Sequence, residues 1–225
     1  VRVLIRRRQR RVPQKLPQFP RENIEKVINA VIQASNLAQD DERSLLRILR
    51  DKAFILTLAD TGLRISEACS LTRGQYDRNE HQAIVIIKGG RESIVRFSQR
   101  AHYAIMNYIE SRGPLDGTSG RALSSLPLFA RHDLGSGNKT IPIKTVGARN
   151  IINKWVKYTL GPDSVGSITP HSFRHYFVTI VLRGSGGNLK LAQELARHKS
   201  IAITQRYAHL TDDDLDRNYH KIFDE

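Results

Sequence analysis

One short stretch of this chain has the residue pattern of a β-hairpin, whereas most of the rest has the spacing of helices. The run Ala83-Ile84-Val85-Ile86-Ile87 is apolar and mostly β-branched, and Ser93-Ile94-Val95-Arg96-Phe97 resumes that pattern after Gly89-Gly90. Two β-prone runs around a Gly-Gly turn predict an antiparallel hairpin. The chain is therefore expected to hold a small sheet inside a mostly helical domain.

Apolar residues recur at helical spacing through the remainder of the chain. Four of them between 24 and 31 fall at i, i+3, i+4 and i+7, and Gly62 is a suitable end for the next helix. The predicted helices cover about 41–60, a stretch near 65, 99–111, 145–159, 170–182, 188–197, a stretch near 203 and a segment from 212; loops are predicted at 113–127 and 135–139. We predict the α+β class, mainly α with a small antiparallel β-sheet.

The chain divides into a basic arm and one domain. Six arginines and Lys15 crowd into the first fifteen positions, and three prolines up to Pro20 discourage a helix there. Residues 1–20 are interpreted as a basic arm or interdomain linker, with a frayed tail as the alternative. Residues 21–225 are long enough to bury a core of their own.

The charge balance points to a polyanionic partner. Lysine and arginine number 36 against 22 acidic residues, for a net charge of +14 and a pI near 10.3. Nucleic acid is the leading candidate, while anionic lipid or a basic surface without function stays open. No apolar run approaches the roughly 20 residues of a transmembrane helix. The single cysteine, Cys69, excludes a disulfide within the chain and a Cys-rich zinc site.

Several polar residues stand out against this framework. Arg64 follows a helix break, Lys88 lies at the hairpin turn, and His171 and Arg174 are three residues apart near a helix start. His198 ends the next helix, and Tyr207 lies nine residues later in a short apolar segment. Taken singly, each has an ordinary structural explanation as a cap, an edge charge or a packing residue.

Taken together, these segments resemble the tyrosine site-specific recombinase (phage integrase) family. Thr61-Gly62-Leu63-Arg64-Ile65-Ser66-Glu67, Lys88-Gly89-Gly90, His171-Ser172-Phe173-Arg174, and His198 followed by Tyr207 agree with that family in order and spacing. The resemblance implies the catalytic-domain fold of these enzymes and the cutting and rejoining of double-stranded DNA through a 3′-phosphotyrosyl intermediate.

The resemblance also implies a role for each matching residue. Tyr207 corresponds to the nucleophile, and Arg64 and Arg174 to the pair that binds the non-bridging phosphate oxygens. The remaining roles are Lys88 as the general acid for the leaving 5′-oxygen, His171 in proton transfer at the tyrosine, His198 as a hydrogen-bond donor to the phosphate, and Glu67 and His175 in orienting the arginines and histidines.

Elementary chemistry is consistent with those roles. A phosphodiester gathers negative charge in its transition state, and planar guanidinium groups match that charge in shape and stay protonated. A tyrosine hydroxyl titrates near 10 and needs a base or a cationic field. Covalent attachment conserves the bond energy, so no nucleotide cofactor is expected. No metal is expected either, because Asp212-Asp213-Asp214, the nearest carboxylate cluster, is interpreted as the start of the last helix.

One position departs from the family pattern. The family usually has glycine immediately before the second histidine, whereas this chain has Leu195-Ala196-Arg197-His198. Arg197 must then adopt a backbone conformation that glycine supplies easily. Arg197 is also a candidate contact for DNA phosphate, and the other candidates for DNA binding are Arg73, Arg91, Lys139 and Lys144.

The end of the chain has an apolar stripe at helical spacing, formed by Leu215, Tyr219, Ile222 and Phe223. In the family a C-terminal helix often docks on a neighbouring protomer, so residues of about 211–225 are expected to support self-association on DNA, as a tetramer in the synaptic complex. A helix that packs on its own core is the alternative. The family's N-terminal DNA-clamping domain has no counterpart in these residues, and we expect the catalytic part of a cytoplasmic, nucleoid-associated enzyme.

Two further interpretations stay open. A type IB topoisomerase or a hairpin-forming telomere resolvase uses similar tyrosine, arginine and lysine chemistry. A catalytically silent DNA-binding module would reuse the same fold. The complete set of catalytic side chains argues against the silent module. Three features favour the recombinase: the compact Lys88 hairpin, the His171–Arg174 pair and the C-terminal stripe.

Overall fold

The computed structural model describes residues 20–37, 41–87 and 90–207. Within these ranges α-helices dominate, and a small antiparallel sheet accompanies them, as the sequence predicts. The helices are α1 (Arg21–Ala34), α2 (Glu42–Thr61), α3 (Ile65–Ser70), α4 (Gln99–Ser111), α5 (Gly113–Gly117), α6 (Thr145–Leu160), α7 (Pro170–Gly184), α8 (Leu189–Ala196) and α9 (Ile201–Gln205). The predicted basic arm and the predicted helix from 212 lie outside the described residues, apart from Pro20 at the end of the arm.

The predicted hairpin is present, with one additional strand. β2 (Gln82–Ile87) pairs antiparallel with β3 (Arg91–Arg96), and the two-residue β1 (Tyr76–Asp77) pairs with the other edge of β2. Alternate residues of β2 and β3 face the core, as period-two side chains must. The sequence did not indicate β1, because two residues are too few to show alternation.

Helix α2 forms the centre of the domain. The Asp41 side chain caps its first turn by accepting a hydrogen bond from the Ser44 amide, which satisfies an otherwise unpaired donor. Apolar residues on nearly all sides of its second half are buried, and the helix packs against α1, α4 and α7. It ends at Gly62, whose left-handed conformation (φ 58°) reverses the chain. The site residues begin directly after this turn.

The segment predicted as a loop at 113–127 contains the short helix α5 and a 3₁₀ turn at Leu123–Ser125. Its order comes from Arg112, whose fully buried guanidinium donates to the carbonyls of Pro127 and Leu128 and pairs with Asp116. A buried charge needs such partners. The segment is therefore folded around an ion pair that local composition does not reveal.

A smaller apolar cluster lies beside the main core. Helices α7 and α8 form it, and Tyr207, which follows α9, packs against it. Its buried members are Phe177, Val178, Leu182, Ala192 and Ala196. Because α8 rests on α7 through this cluster and α9 packs against α8, the residues at the ends of both helices are carried to the end of α2. None of the helices in the described ranges is long and apolar enough to cross a membrane.

Candidate active site

Arg64 is held by a carboxylate on the helix that follows it. Glu67 is buried in α3 and accepts hydrogen bonds from the Arg64 backbone N–H (2.9 Å) and from Arg64 Nη1 (2.7 Å). The Arg64 side chain remains 38% exposed. The carboxylate thus fixes the direction of a guanidinium that still faces solvent, and the orienting role predicted for Glu67 has a geometric basis.

Arg174 lies on α7 and joins two chain segments. Nη1 donates to the Gly62 carbonyl (2.5 Å), and Nη2 donates to the Ala196 carbonyl. Burial, with the neighbouring charges of Arg64 and Arg197, lowers the pKa of Arg174 to about 10. The side chain therefore stays protonated at neutral pH. A guanidinium has five N–H groups, and these two bonds leave donors for an anion.

Arg197 adopts the left-handed backbone conformation that the sequence requires of it, with φ 55° and ψ 43°. Its Nη1 donates to the Leu195 carbonyl (2.9 Å) and its Nη2 to the Thr61 carbonyl (3.3 Å). Burial lowers its pKa, as does the charge of Arg64. Three guanidinium groups, those of Arg64, Arg174 and Arg197, are consequently gathered around the ends of α2 and α8.

His198 is placed by α9. Its Nδ1 is 2.9 Å from the hydroxyl of Thr204, a fully buried residue of that helix. Burial lowers the pKa of His198 to about 4, and the charges of Arg174, Arg64 and Arg197 act in the same direction. His198 is therefore neutral at physiological pH and can donate one N–H without adding charge.

Tyr207 stands against two imidazole rings. The His175 ring meets it edge to face with centroids 4.7 Å apart, and the His198 ring lies nearly parallel to it at 6.2 Å. Burial raises the pKa of Tyr207, against the opposing charges of Arg174 and Arg206. The phenol is therefore protonated at neutral pH, and it requires a proton acceptor before it can act as a nucleophile.

The structure brings together most of the predicted catalytic residues. Arg64, Arg174, His198 and Tyr207 converge where α2, α7, α8 and α9 meet, and Glu67 and His175 lie behind them. His171 is exposed in the first turn of α7, where its charge lowers the pKa of His175 after the larger effect of burial. Lys88 falls between β2 and β3, outside the described residues.

The candidates for DNA contact differ in their surroundings. Arg91, Lys139 and Lys144 are exposed. Arg73 does not fit the prediction, because its Nη1 is bound to buried Asp116 at 2.6 Å and its side chain is only 10% exposed. Its role in the structure is to hold the segment after Arg112, through a contact between residues 43 positions apart.

A basic cleft of about 540 Å³ lies near the other end of α2, and the sequence did not indicate it. Its cationic lining comes from three different parts of the chain, and Asp51 and Asp133 also line it. Those cations are Arg47, Arg50, Arg131, Lys144 and Lys154. Arg47 and Thr61 are separated by about 21 Å along α2, given a rise of 1.5 Å per residue. No local pattern unites these residues, since they meet only through folding.

Thr204 is a further residue that sequence reasoning missed. A threonine between Ile203 and Gln205 looks like an ordinary helix position, and only its contact with His198 assigns it a place in the site. The described ranges contain no group of three or more His, Cys, Asp or Glu side chains arranged to hold a metal ion.

Comparison with known proteins places the chain in a family. The phage integrase family matches residues 24–214, and the chain belongs to it. The relatives include tyrosine recombinase XerC of Treponema denticola, 33% identical over 76% of this chain and 55% of the relative. Tyrosine recombinase XerC of Pediococcus pentosaceus is 30% identical over 93% of this chain and 63% of the relative. The chain thus spans between 55% and 63% of the length of these relatives.

Solved structures agree with this assignment. The XerA recombinase is similar with a TM-score of 0.63 and 25% identity, over 92% of this chain and 65% of that one. The XerH site-specific recombinase bound to its difH substrate has a TM-score of 0.65 at 16% identity, over 88% of this chain and 52% of that one. The Tn1549 transposon integrase bound to transposon right-end DNA has a TM-score of 0.61 at 23% identity, over 96% of this chain and 68% of that one. The last two similarities establish the fold alone.

Proposed function

We propose that this chain is the catalytic part of a site-specific DNA recombinase or integrase. It would cut and rejoin DNA strands through a 3′-phosphotyrosyl intermediate, without a metal or a nucleotide cofactor. The observation that carries the proposal is the convergence of Arg64, Arg174 and His198 on the side of the domain where Tyr207 packs. The named relatives, which are tyrosine recombinases, support the same assignment.

In the proposed reaction the Tyr207 oxygen attacks the phosphorus of a DNA phosphodiester. The P–O5′ bond breaks, the 3′-phosphate stays on the tyrosine, and the released 5′-oxygen takes up a proton. Lys88 would supply that proton, and His171 would accept the proton that the tyrosine loses. The reverse reaction, with the 5′-hydroxyl of another strand, rejoins DNA without an external energy source.

Charge near the phosphate would stabilise the transition state. Arg64 is oriented by Glu67, and Arg174 is oriented by two carbonyls, so both cations are positioned before substrate arrives. Preorganised donors avoid the reorganisation that water molecules would need. The charge of Arg174, with that of Arg206, would also favour the tyrosinate over the phenol, against the larger effect of burial on the Tyr207 pKa.

Double-stranded DNA is the proposed partner. The net charge of +14 supplies general attraction, and the basic cleft would hold backbone phosphates some distance from the cleavage point. Arg91, Lys139 and Lys144 would contribute further backbone contacts, of which Lys144 also lines the cleft. Phosphate contacts position a duplex without reading its sequence. The target sequence would therefore be read through contacts to base edges and not through these cations.

Assembly and location belong to the same proposal. Residues of about 211–225 would dock on a neighbouring protomer and support a tetramer on DNA, and residues 1–20 would link the domain to a DNA-clamping domain. The setting would be the cytoplasm, on the nucleoid. Sedimentation of Tyr207→Phe protein on DNA, with and without residues 211–225, tests the docking: loss of the larger complex only in the shortened protein supports it.

Covalent trapping tests the reaction. The protein is incubated with pooled duplexes that carry nicks, so that the cut strand escapes, and SDS-resistant protein–DNA adducts are measured. Tyr207→Phe should abolish the adduct and retain DNA binding. Tyr158→Phe is the matched control, because Tyr158 is 69% exposed on α6 and should keep full activity.

The other outcomes separate the alternatives. Adducts together with relaxation of supercoiled plasmid by a single protomer would favour the topoisomerase. Hairpin products from one duplex would favour the telomere resolvase. DNA binding without adducts in any variant, including protein joined to an N-terminal domain, would overturn the enzyme assignment and favour a silent binding module.

A further inference from the structure

Arg197 has a backbone conformation that is strained for any residue other than glycine. Its φ of 55° lies in the left-handed region, and His81 is the one other non-glycine residue of the described ranges with a positive φ. Glycine enters this region without steric cost, whereas a residue with a Cβ does not. Strain of this kind persists where surrounding contacts compensate for it. The side chain of Arg197 makes such contacts.

Two arginines bridge the same two segments of the chain. Arg174 joins the carbonyls of Gly62 and Ala196, and Arg197 joins the carbonyls of Thr61 and Leu195. The acceptors are consecutive residues in each segment: Thr61–Gly62 at the end of α2 and Leu195–Ala196 at the end of α8. The bridges therefore form a double link between the two helix ends.

Each bridged segment leads directly to a phosphate-binding candidate. Gly62 precedes Arg64 by two residues, and Ala196 precedes His198 by two residues. The separation of Arg64 from His198 consequently depends on how firmly the two segments are tied. Thr204 holds the His198 ring from α9, whereas Arg174 and Arg197 donate hydrogen bonds to the α2 segment, at Gly62 and Thr61.

We propose that Arg197 is a positioning residue, whose guanidinium ties the turn carrying His198 to the turn carrying Arg64 and so keeps both in place for the scissile phosphate. This inference rests on the proposed recombinase function and deepens it. It differs from the sequence-based expectation of a DNA contact, because both terminal nitrogens of Arg197 are turned to carbonyls of the protein. Its Nε is buried without a hydrogen-bond partner, which also places the group in the interior.

The surroundings of His198 provide a readout independent of DNA. The charged and titratable groups that face it are Arg174 and His175 from α7, Arg64 from the turn after α2, and Arg197 itself. Tyr207 stacks on its ring. If Arg197 is tied beside His198, removal of its charge must raise the His198 pKa from about 4 towards its usual value.

Three substitutions separate charge, hydrogen bonding and backbone strain. Arg197→Lys keeps the charge and cannot bridge two carbonyls with a planar fork. Arg197→Ala removes the side chain and keeps the strain, and Arg197→Gly removes both. Lys190→Ala is the control, because it removes one positive charge from α8 at a position that is 71% exposed and paired with Glu194.

Two properties are measured for each protein. The rate of adduct formation is followed in a single turnover at saturating DNA, and the DNA affinity is measured separately in the Tyr207→Phe background. We expect the Ala and Gly variants to cleave about tenfold to a hundredfold more slowly, with Kd within about twofold of the parent. Arg197→Lys should lie between them and the parent, and Lys190→Ala should match the parent.

The His198 ring is titrated by NMR without DNA. Its pKa should rise in the Ala and Gly variants and stay low in Arg197→Lys. Should Arg197→Ala fail to fold, Arg197→Gly carries the test, since glycine relieves the strain.

Weaker DNA binding with an unchanged cleavage rate would overturn the proposal and make Arg197 a phosphate contact. An unchanged rate and an unchanged His198 titration would make it a bystander. If neither the parent protein nor the protein joined to an N-terminal domain forms an adduct, the recombinase assignment fails, and the His198 titration alone still tests whether Arg197 is held beside His198.

Discussion

The ring of His175 meets the ring of Tyr207 edge to face, with centroids 4.7 Å apart and planes inclined by 84°. His175 is on α7, one residue after Arg174, so the helix that carries the proposed phosphate-binding guanidinium also contacts the proposed nucleophile, Tyr207. Edge-to-face packing fixes the direction of a ring and not only its distance. The Tyr207 hydroxyl, which we propose as the attacking group, is therefore aligned by the helix that carries the proposed phosphate ligand Arg174.

This contact predicts different outcomes for two substitutions of His175. His175→Ala removes the aromatic contact with Tyr207 and should slow adduct formation by about tenfold to a hundredfold, because the tyrosine loses its alignment. His175→Phe keeps an aromatic edge and should retain most of the rate. Single-turnover cleavage at saturating DNA measures both. Equal loss in both variants would show that the imidazole acts through its nitrogens and not through packing.

Gly62 should not tolerate alanine. A Cβ at this position would lie 2.5 Å from Cδ1 of Phe177, and the φ of 58° already disfavours a side chain. We expect Gly62→Ala to lower the free energy of unfolding by at least about 1 kcal/mol and to slow cleavage, since the Gly62 carbonyl anchors Arg174. Urea denaturation measures the stability.

Gly147→Ala is the control for that substitution. Gly147 lies in α6, has no atoms near its position for a Cβ, and does not have a positive φ. Alanine there should raise the free energy of unfolding by about 0.5–1 kcal/mol, because glycine is a poor helix former. Equal stability changes at both positions would contradict the steric account of Gly62.

The sequence was most informative where the structure depends on local order. Helix α2 ends at Thr61 because glycine follows it, and the hairpin forms because two β-branched runs flank Gly89-Gly90. The site residues could be predicted for a similar reason. Arg64, His198 and Tyr207 each lie within three residues of a helix end, where a motif of a few residues sets the direction of a side chain, as with Glu67 three residues after Arg64.

What escaped prediction depends on contacts between distant residues. In the sequence, Arg73 cannot be told from an ordinary surface arginine, because its partner Asp116 lies 43 residues away and comes to it only through folding. Arg112 orders a segment that its glycine and serine content predicts as loop. Thr204 belongs to the site through a single contact with His198. Periodicity contains no information on such pairs.

Asp116 should be essential for stability. It lies among buried Arg112, Arg73 and Thr140, with an Arg112 contact of 2.9 Å. Asp116→Ala would leave a fully buried guanidinium unpaired and should cost about 3–5 kcal/mol of unfolding free energy. Asp133→Asn is the control, because its pair with Arg131 is exposed, and it should scarcely move the urea midpoint. Similar midpoints for both variants would contradict the network.

His132 should make the fold sensitive to acid. Burial lowers its pKa to about 3, helped by the charges of Arg50 and Arg112, and its Nε2 is 2.8 Å from the Tyr108 hydroxyl. Below pH 6.5, the ordinary pKa of histidine, the His132 ring is protonated in the unfolded state but stays neutral in the folded state. Stability therefore falls as the pH drops from about 6.5 towards 3, by up to about 1.4 kcal/mol per pH unit.

His132→Gln tests the direction of this pH dependence of stability. Glutamine can hydrogen-bond to the Tyr108 hydroxyl but does not titrate, so the slope of unfolding free energy against pH should decrease between pH 6.5 and 5. The carboxylates are common to both proteins, and their effect cancels in the difference between the two slopes. Parallel slopes would mean that His132 takes up its proton in the folded state as readily as in the unfolded state.

Glu67→Gln separates the orientation of Arg64 from the folding of α3. The carboxylate accepts from both the backbone and the side chain of Arg64, whereas an amide offers a single oxygen and no charge. The cleavage rate should fall by about tenfold or more, while Kd for DNA should stay the same or improve, because a negative charge leaves a cationic site. Glu194→Gln, at an exposed pair on α8, should change neither the cleavage rate nor Kd.

The opposite result would contradict this account. If Glu67→Gln weakens DNA binding and leaves the cleavage rate at saturating DNA intact, then Glu67 supports ground-state binding, and the Glu67 carboxylate is not needed to orient Arg64 in the transition state.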